Sequence, residues 1–316
     1  MRILVTGATG FLGGAAARAL ARSGHDVIGT GRDLERGAAL EAAGVRFVAF
    51  DLHKPPSPLL SRLDAVLHCA ARSSLWGRWA DFEADNVAVS ARLACACAQR
   101  GLRLVHISTP SVYNATGLTR QVPETASLGP RFDSLYARSK YRAELEVRFH
   151  LPDATILRPR GLYGPGDSSL MPRLVRALRS GRLPRLSRQE VHTELTHVQN
   201  VVHAIELALE RPAAGVFNIT DGVSVPIWAT LNRLAGALRV PRPTRYVPAK
   251  VAERAAALLE GLYRLSPGAP EPPITASGLR LLTRPMTLDL TRAREMLGYT
   301  PVIHPEDGLN EVIAAL

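Results

Sequence analysis

Residues 7–13 read Gly-Ala-Thr-Gly-Phe-Leu-Gly, and the residues on either side of them limit the folds open to this chain. The short apolar run Ile3-Leu4-Val5 precedes them, and an Ala-rich stretch of helical character, residues 11–23, follows. A strand that turns through glycines straight into a helix opens a βαβ unit. Gly7 permits the tight turn, Gly10 lets backbone approach a ligand's phosphates, and Gly13 lets helix and strand pack closely. The helix N-terminus adds unpaired N–H groups and a partial positive charge. The loop thus reads as the pyrophosphate site of a dinucleotide, with Gly7, Thr9, Gly10, Phe11, Leu12 and Gly13 at the contact; the plain alternative is a structural turn.

The rest of the first half repeats the alternation. Strand-like runs fall at residues 2–6, 26–30, 45–50, 65–68, 102–108 and 155–158, with helical patterns at 11–23, 34–43, 81–100 and 134–150. Such alternation predicts an α/β fold, a Rossmann-like doubly wound parallel sheet covered by helices. Beyond residue 161 the pattern loosens into helical stretches at 169–180, 198–210, 226–238 and 248–265, a returning strand at 216–219 and a Pro-rich loop at 266–273. The expected division is a dinucleotide-binding domain over 1–160, joined by part of 195–225. Residues 161–316 would then form mainly a smaller, discontinuous C-terminal substrate lobe. Val251, Ala255, Leu258, Leu259, Leu262 and Leu265 share one helical stripe and are expected to pack onto the core.

The 316 residues carry a formal charge of +11, which raises nucleic acid as a partner. The arginines are scattered, with no basic block and no interleaved aromatics, so no nucleic-acid partner is expected. The dispersed charge fits an anionic cofactor or a bias toward Arg. Three cysteines make no disulfide framework, and Cys95 and Cys97 diverge on a helix, which predicts a reduced, cytoplasmic setting. The chain runs directly into the Ile3 strand, leaving no room for a signal peptide, and no apolar stretch is long enough for a membrane span. His192, His197 and His203 lack convergent ligand spacing, so no metal is expected.

Cofactor choice is read at the end of the second strand, where NAD sites commonly place an acidic residue for the ribose 2′-OH. This chain has Gly31 there, then Arg32 and Asp33. A small residue followed by an arginine leaves space and charge for a 2′-phosphate, so NADP is preferred over NAD. Asp33 keeps NAD open if the strand register slips by two.

Tyr136 and Lys140 stand at i and i+4 and share one helix face. The chain has only three lysines against 36 arginines, so a Lys four residues after this Tyr stands out. Asp133 and Ser134 are both good caps, which puts Tyr136 in the first helical turn. The helix dipole and the Lys140 ammonium are then expected to lower the phenol pKa toward working pH. A phenol so tuned gives a proton to a carbonyl as hydride arrives, or removes one in reverse. Lys140 is also suited to hold a ribose hydroxyl of the cofactor.

Together these motifs resemble the extended short-chain dehydrogenase/reductases, the NAD-dependent epimerase/dehydratase superfamily. The resemblance rests on residues 6–13, His68-Cys69-Ala70-Ala71, Asn86, Ser108-Thr109, Tyr136/Lys140, residues 157–167, Thr196-His197-Val198-Gln199-Asn200-Val201-Val202, and 289–301. It covers nearly the whole chain. It implies catalytic Tyr136 and Lys140, with a third hydroxyl at Thr109 and Ser108 and Ser111 open as alternatives. It also implies Asp51 and Leu52 toward the adenine, Ala70 and Ala71 beside the nicotinamide, Asn86 supporting the helix or a relay water, and a homodimer through helices 81–100 and 134–150.

Two departures bear on the substrate. Sugar-nucleotide epimerases and dehydratases usually carry Asn where this chain has Gly161, and a diphosphate-binding Arg where it has Thr193. The segment Leu75-Trp76-Gly77-Arg78-Trp79 is instead bulky and apolar. The chain is most similar to the branch of 3β-hydroxysteroid dehydrogenases and 2-alkyl-3-oxoalkanoate reductases. Hydride transfer between NAD(P)H and a ketone or alcohol on a lipophilic substrate, β-keto acid or steroid-like, is the implied activity. The alternatives are an epimerase or dehydratase that retains NAD, and a non-catalytic dinucleotide sensor; a sensor has no need of the Tyr136/Lys140 pair.

Overall fold

The computed structural model describes residues 1–128, 131–266, 270–272 and 274–316. Part of the loop expected at 266–273 lies outside the described residues. Seven strands, β1 (Arg2–Thr6), β2 (Asp26–Gly31), β3 (Arg46–Ala49), β4 (Ala65–His68), β5 (Arg103–Ile107), β6 (Thr155–Pro159) and β7 (Gly215–Ile219), form one sheet. Their order is β7-β6-β5-β4-β1-β2-β3, and every pairing is parallel. Strands of this kind are buried on both faces, which is why β1 and β4 read as unbroken apolar runs. The flanking helices are α1 (Phe11–Arg22), α2 (Leu34–Glu41), α3 (Val89–Ala98), α4 (Leu135–His150) and α6 (Val198–Glu210). All seven strands, and the helices α1, α2, α4 and α6, stand where the sequence put them, within two residues at every end.

Side-chain alternation along each strand divides the interior into two layers. Ile3, Val5, Leu67, Val105 and Leu157 pack on α1 and α6, with Leu290, Leu297 and Tyr299 from the far end of the chain in the same cluster. Leu4, Val66, Leu104 and Ile156 face the other way, onto Leu93, Cys97 and Val147 of α3 and α4. From β1 the chain builds outward to β2 and β3, then returns to lay β4 on the opposite side of β1. The order reverses between β1 and β4, and in sheets of this kind ligands bind in a crevice at such a switch point, outside the carboxyl ends of the strands.

A third cluster, including Tyr163, Met171, Trp228, Leu231, Leu279 and Leu309, gathers the remaining helices. These are α5 (Leu170–Arg179), α7 (Ile227–Ala237), α8 (Ala249–Leu265), α9 (Ala276–Thr283) and α10 (Pro305–Ala314). Two short pairings tie this part together: Leu162–Tyr163 runs parallel to Thr196–His197, and Ser224–Pro226 antiparallel to His192–Glu194.

Two expectations need correction. The helix expected at 81–100 is not one α-helix: a short α-turn, Trp79–Phe82, leads into a π-helical Glu83–Ala88 before α3. The wider turn lets Asn86 reach two elements at once. It accepts from Arg72 N–H at 2.7 Å and donates to the Ser139 hydroxyl of α4 at 2.8 Å. The apolar stripe of α8 does not pack onto the core either. Val251, Ala255, Leu258, Leu262 and Leu265 are exposed, Leu265 at 85%, and only Leu259 is partly covered. The helix docks instead by its opposite face, through buried Ala256, a Glu253–Arg280 ion pair at 3.2 Å and Glu260, which accepts from Ala276 N–H at 2.8 Å.

Candidate active site

The glycine loop occupies the crevice as its spacing requires. Gly7 has φ +67°, and a Cβ there would lie 2.8 Å from the Ala70 Cα, so the loops after β1 and β4 touch backbone to backbone. A Cβ on Gly13 would stand 2.3 Å from the Gly7 carbonyl oxygen. Gly10 caps α1 with no side chain, and the first intrahelical bond runs from Gly14 N–H to the Gly10 carbonyl at 2.9 Å. The first-turn N–H groups are therefore free to meet an anion, and this cradle fits a pyrophosphate.

The end of β2 has little room for a side chain: a Cβ on Gly31 would meet the Thr9 hydroxyl at 2.5 Å. Asp33 has a local role. It caps α2, accepting from Arg36 N–H at 3.0 Å and pairing with the Arg36 guanidinium at 3.4 Å. Arg36 also donates to the Thr9 carbonyl at 3.2 Å, so two exposed arginines, Arg32 and Arg36, flank this corner. Arg36 escaped the sequence reading because its approach depends on the α2 turn. Asp51 lies just past β3 and accepts from His53 N–H at 3.1 Å, while the Leu52 carbonyl accepts from Arg92 at 2.8 Å.

At the neighbouring strand ends, Ser134 caps α4 by accepting from Ala137 N–H at 3.1 Å, so Tyr136 sits in the first turn. Its phenol lies near enough to Thr109, the residue that caps the turn after β5, for that hydroxyl to favour the ionised form. The other two candidate hydroxyls are held differently. Ser108 donates to the buried Glu144 carboxylate, and Ser111 accepts from Thr109 at 3.1 Å. Of the three, Thr109 is the one that bears on Tyr136.

The expected lowering of the Tyr136 pKa is not found. Burial pushes the phenol up to about 12, with the Thr109 hydroxyl pulling weakly the other way. The reason lies in Lys140, which turns beneath the strand ends rather than toward the phenol. It donates to the Ile107 carbonyl at 2.6 Å and lies 3.4 Å from His106 Nε2. Burial lowers Lys140 to about 8, opposed mainly by the Glu144 charge. Beneath it lie two imidazoles kept neutral by burial, His106 and His68, their centroids 5.1 Å apart. His68 is held by Thr6 at 2.8 Å and Ser90 at 3.0 Å, whereas His106 Nδ1 has no partner.

The Lys140 shift has a direct consequence for stability. Between about pH 8 and the ordinary lysine value of 10.5, the unfolded chain keeps a proton that the folded chain has released. Lys140's own contribution to stability therefore rises with pH across that window, while the Cys69 and Cys97 thiols, pushed up to about 12 by burial, work against it above pH 9. Urea midpoints at pH 7.5 and pH 10 should show a less favourable change in Lys140→Met than in the wild type, the difference being Lys140's share.

Two cation–π contacts hold the segment that follows Ala70 and Ala71. Trp79 lies under the Arg138 guanidinium of α4 at 4.2 Å, and Trp76 faces Arg264 of α8 at 5.3 Å. The segment after Ala70 and Ala71 is thus fastened to α4 and α8.

The profile of the NAD dependent epimerase/dehydratase family matches residues 3–220, well over half of the chain. The chain belongs to the NAD-dependent epimerase/dehydratase family. Among its relatives, a 2-alkyl-3-oxoalkanoate reductase of Stenotrophomonas maltophilia is 33% identical, covering 100% of this chain and 99% of its own. The uncharacterized protein YbjS of Escherichia coli K12 is 35% identical, covering 100% and 98%. Among solved structures, MoeE5 in complex with UDP-glucose and NAD superposes with a TM-score of 0.75 at 26% identity, covering 99% and 98%. Family membership and the seven-stranded sheet agree, and among the described residues no helix is long and apolar enough to cross a membrane.

Within this family site, sequence reasoning missed the charges beneath it. Glu144, one turn past Lys140, is buried and pairs with buried Arg158 of β6 through two guanidinium nitrogens. Arg158 also donates to the Tyr113 hydroxyl, which donates in turn to Asn218 of β7 at 3.1 Å. The residues come from four distant stretches of chain, and no spacing announces that they converge.

Proposed function

We propose that the chain is an NADPH-preferring reductase of a ketone carried on a lipophilic substrate. The observation that carries this is the placement of Tyr136, in the capped first turn of α4, near Thr109 at the end of β5, on the same sheet edge as the glycine cradle. Bound NADPH supplies the hydride that reaches the carbonyl carbon. Thr109 donates a hydrogen bond to the carbonyl oxygen, and Tyr136 gives that oxygen its proton, leaving an alcohol. A phenol near 12 keeps its proton at neutral pH, which favours the direction of reduction over oxidation. Lys140 is fixed by the Ile107 carbonyl and would hold a ribose hydroxyl of the cofactor through a remaining N–H. The apolar wall at Leu75, Trp76 and Trp79 supports a hydrophobic substrate, as does the substrate in the name of the Stenotrophomonas relative.

Arg32 and Arg36, with Gly31 between Thr9 and the strand end, support NADP as the cofactor. Arg32→Ser should raise KM for NADPH by about 10–100-fold, the loss of one charge-assisted contact, while KM for NADH stays within about twofold. The reading as a whole is tested by following NADPH and NADH oxidation with a panel of β-keto acids and 3-ketosteroids. Failure on every ketone, together with NAD that co-purifies, would overturn it in favour of an epimerase or dehydratase.

A further inference from the structure

The outward face of α8 carries a stripe of large apolar side chains in the open. Val251, Leu258, Leu262 and Leu265 are 56%, 73%, 64% and 85% exposed. At helical spacing they share about 60° of arc and run about 21 Å along the axis. The helix cannot roll to hide them. Its opposite face is held by buried Ala256, by the Glu253–Arg280 pair at 3.2 Å and by Glu260, which accepts from Ala276 N–H at 2.8 Å. A contiguous apolar strip kept outward in this way marks a surface that meets something else.

The charges of α8 are divided between its faces. Both of its carboxylates, Glu253 and Glu260, are turned to the protein and taken up there. Lys250, Arg254 and Arg264 are exposed, and helical geometry sets all three along one flank of the apolar stripe. Arg264 lies over Trp76, while Lys250 and Arg254 form no ion pair among the described residues. Where α8 begins, Arg188 lies over the half-exposed Tyr246 ring at 4.8 Å, and both border a surface depression of about 420 Å³ together with Lys250. The strip is thus apolar along its middle and edged by cations alone.

A second copy of α8 would bring the same cations against these and does not fit. An anionic phospholipid surface does, because acyl chains receive the leucines while long basic side chains reach up to the phosphates. We propose that α8 seats the protein on an anionic phospholipid surface, with Val251, Leu258, Leu262 and Leu265 at the acyl boundary and Lys250, Arg254 and Arg188 among the headgroups. The segment after Ala70 and Ala71 lies directly behind this helix: Trp76 faces Arg264 of α8, and a Cβ on Gly278 of α9 would stand 3.8 Å from Leu75 Cδ1. A lipophilic substrate would then leave the bilayer beside its own binding wall. The seating goes beyond the reductase reading and does not depend on it.

The test is sedimentation of the full chain with vesicles of phosphatidylcholine alone or of equal parts phosphatidylcholine and phosphatidylglycerol, at low salt. The wild type should bind the mixed vesicles, and phosphatidylcholine alone at least about tenfold more weakly. Lys250→Gln/Arg254→Gln should weaken binding to the mixed vesicles by about 10–30-fold. Leu258→Ser/Leu262→Ser keeps every charge and should weaken it by about 30-fold or more. All four positions are exposed or outward-facing, so melting temperatures should hold. Because the whole chain is basic, Arg22→Gln/Arg46→Gln is the control: it removes the same charge from exposed positions on α1 and β3, and should change binding by less than about twofold. No binding to the mixed vesicles overturns the proposal. So does binding that survives the leucine pair, or that falls equally in the control, since diffuse charge then accounts for it. A wild-type oligomer that the leucine pair dissociates in the absence of lipid also overturns it, with a second copy as the cover. Neither cofactor nor ketone enters the measurement, so failure of the seating and failure of the reductase reading are told apart.

Discussion

Tyr136→Phe should lower kcat for ketone reduction by about 10²–10⁴-fold while leaving the affinity for NADPH within about twofold. The substitution removes one hydroxyl and nothing else. The ring keeps its place in the first turn of α4, because the Ser134 cap and the buried Ala137, Ser139 and Lys140 behind it are untouched. On the proposed mechanism, what is lost is the proton that the carbonyl oxygen must receive, together with the hydroxyl that faces Thr109. Cofactor titration by fluorescence, beside single-turnover kinetics, separates the two quantities. A dinucleotide sensor would be indifferent to the change, and a residue needed only for packing would lose binding and melting temperature together.

Glu144→Gln is expected to cost about 3–5 kcal/mol of stability, the other large effect in this molecule. Glu144 and Arg158 have side chains only 3% and 4% exposed, and they neutralise each other between α4 and β6. Removing one charge strands the other where water cannot reach it. Arg158 then keeps its bond to Tyr113 and at most one to the amide oxygen, neither of them charged, and must hold a full charge in the sheet's interior. The double variant Glu144→Leu/Arg158→Met should recover much of the loss, because two apolar side chains replace the pair without leaving an unmatched charge. Denaturant melts of the two single variants and the double variant form a cycle that isolates the pair. Equal losses in the double and single variants would show that packing, not charge, is what Glu144 supplies.

The sheet was legible in the sequence because its signals are local. β-Branched runs such as residues 2–6 and 65–68 alternate with helical stretches, and the glycine loop marks the crossing between them. Gly7, Gly10 and Gly13 carry their meaning in spacing alone. Other features depend on partners that spacing does not name. The α8 stripe has a clean helical period, yet period reports only that a helix has two unlike faces; the Glu253–Arg280 pair and Ala256 chose the polar, small-residue face for docking. Lys140 was expected beside Tyr136 because i and i+4 share a face, but the side chain is long and the nearest buried acceptor, the Ile107 carbonyl, captured it. The π-helical turn at 83–88 reflects a demand made by Arg72 and Ser139 on Asn86, from segments 14 and 53 residues away.

The order of strands also dictates the order in which the protein can be made. The last strand of the sheet, β7, pairs with β6, but 55 residues separate Pro159 from Gly215. At about 5–20 residues per second, β6 waits on the order of 3–11 seconds for its neighbour during synthesis. Until then it is an open edge, and the apolar layer that will hold Phe217 stays uncovered. Leu290, Leu297 and Tyr299 enter that same layer later still. The cofactor-binding half is thus the first to be translated and the last to be finished, so a nascent chain stopped near residue 160 exposes a sticky, unclosed sheet to whatever chaperone meets it.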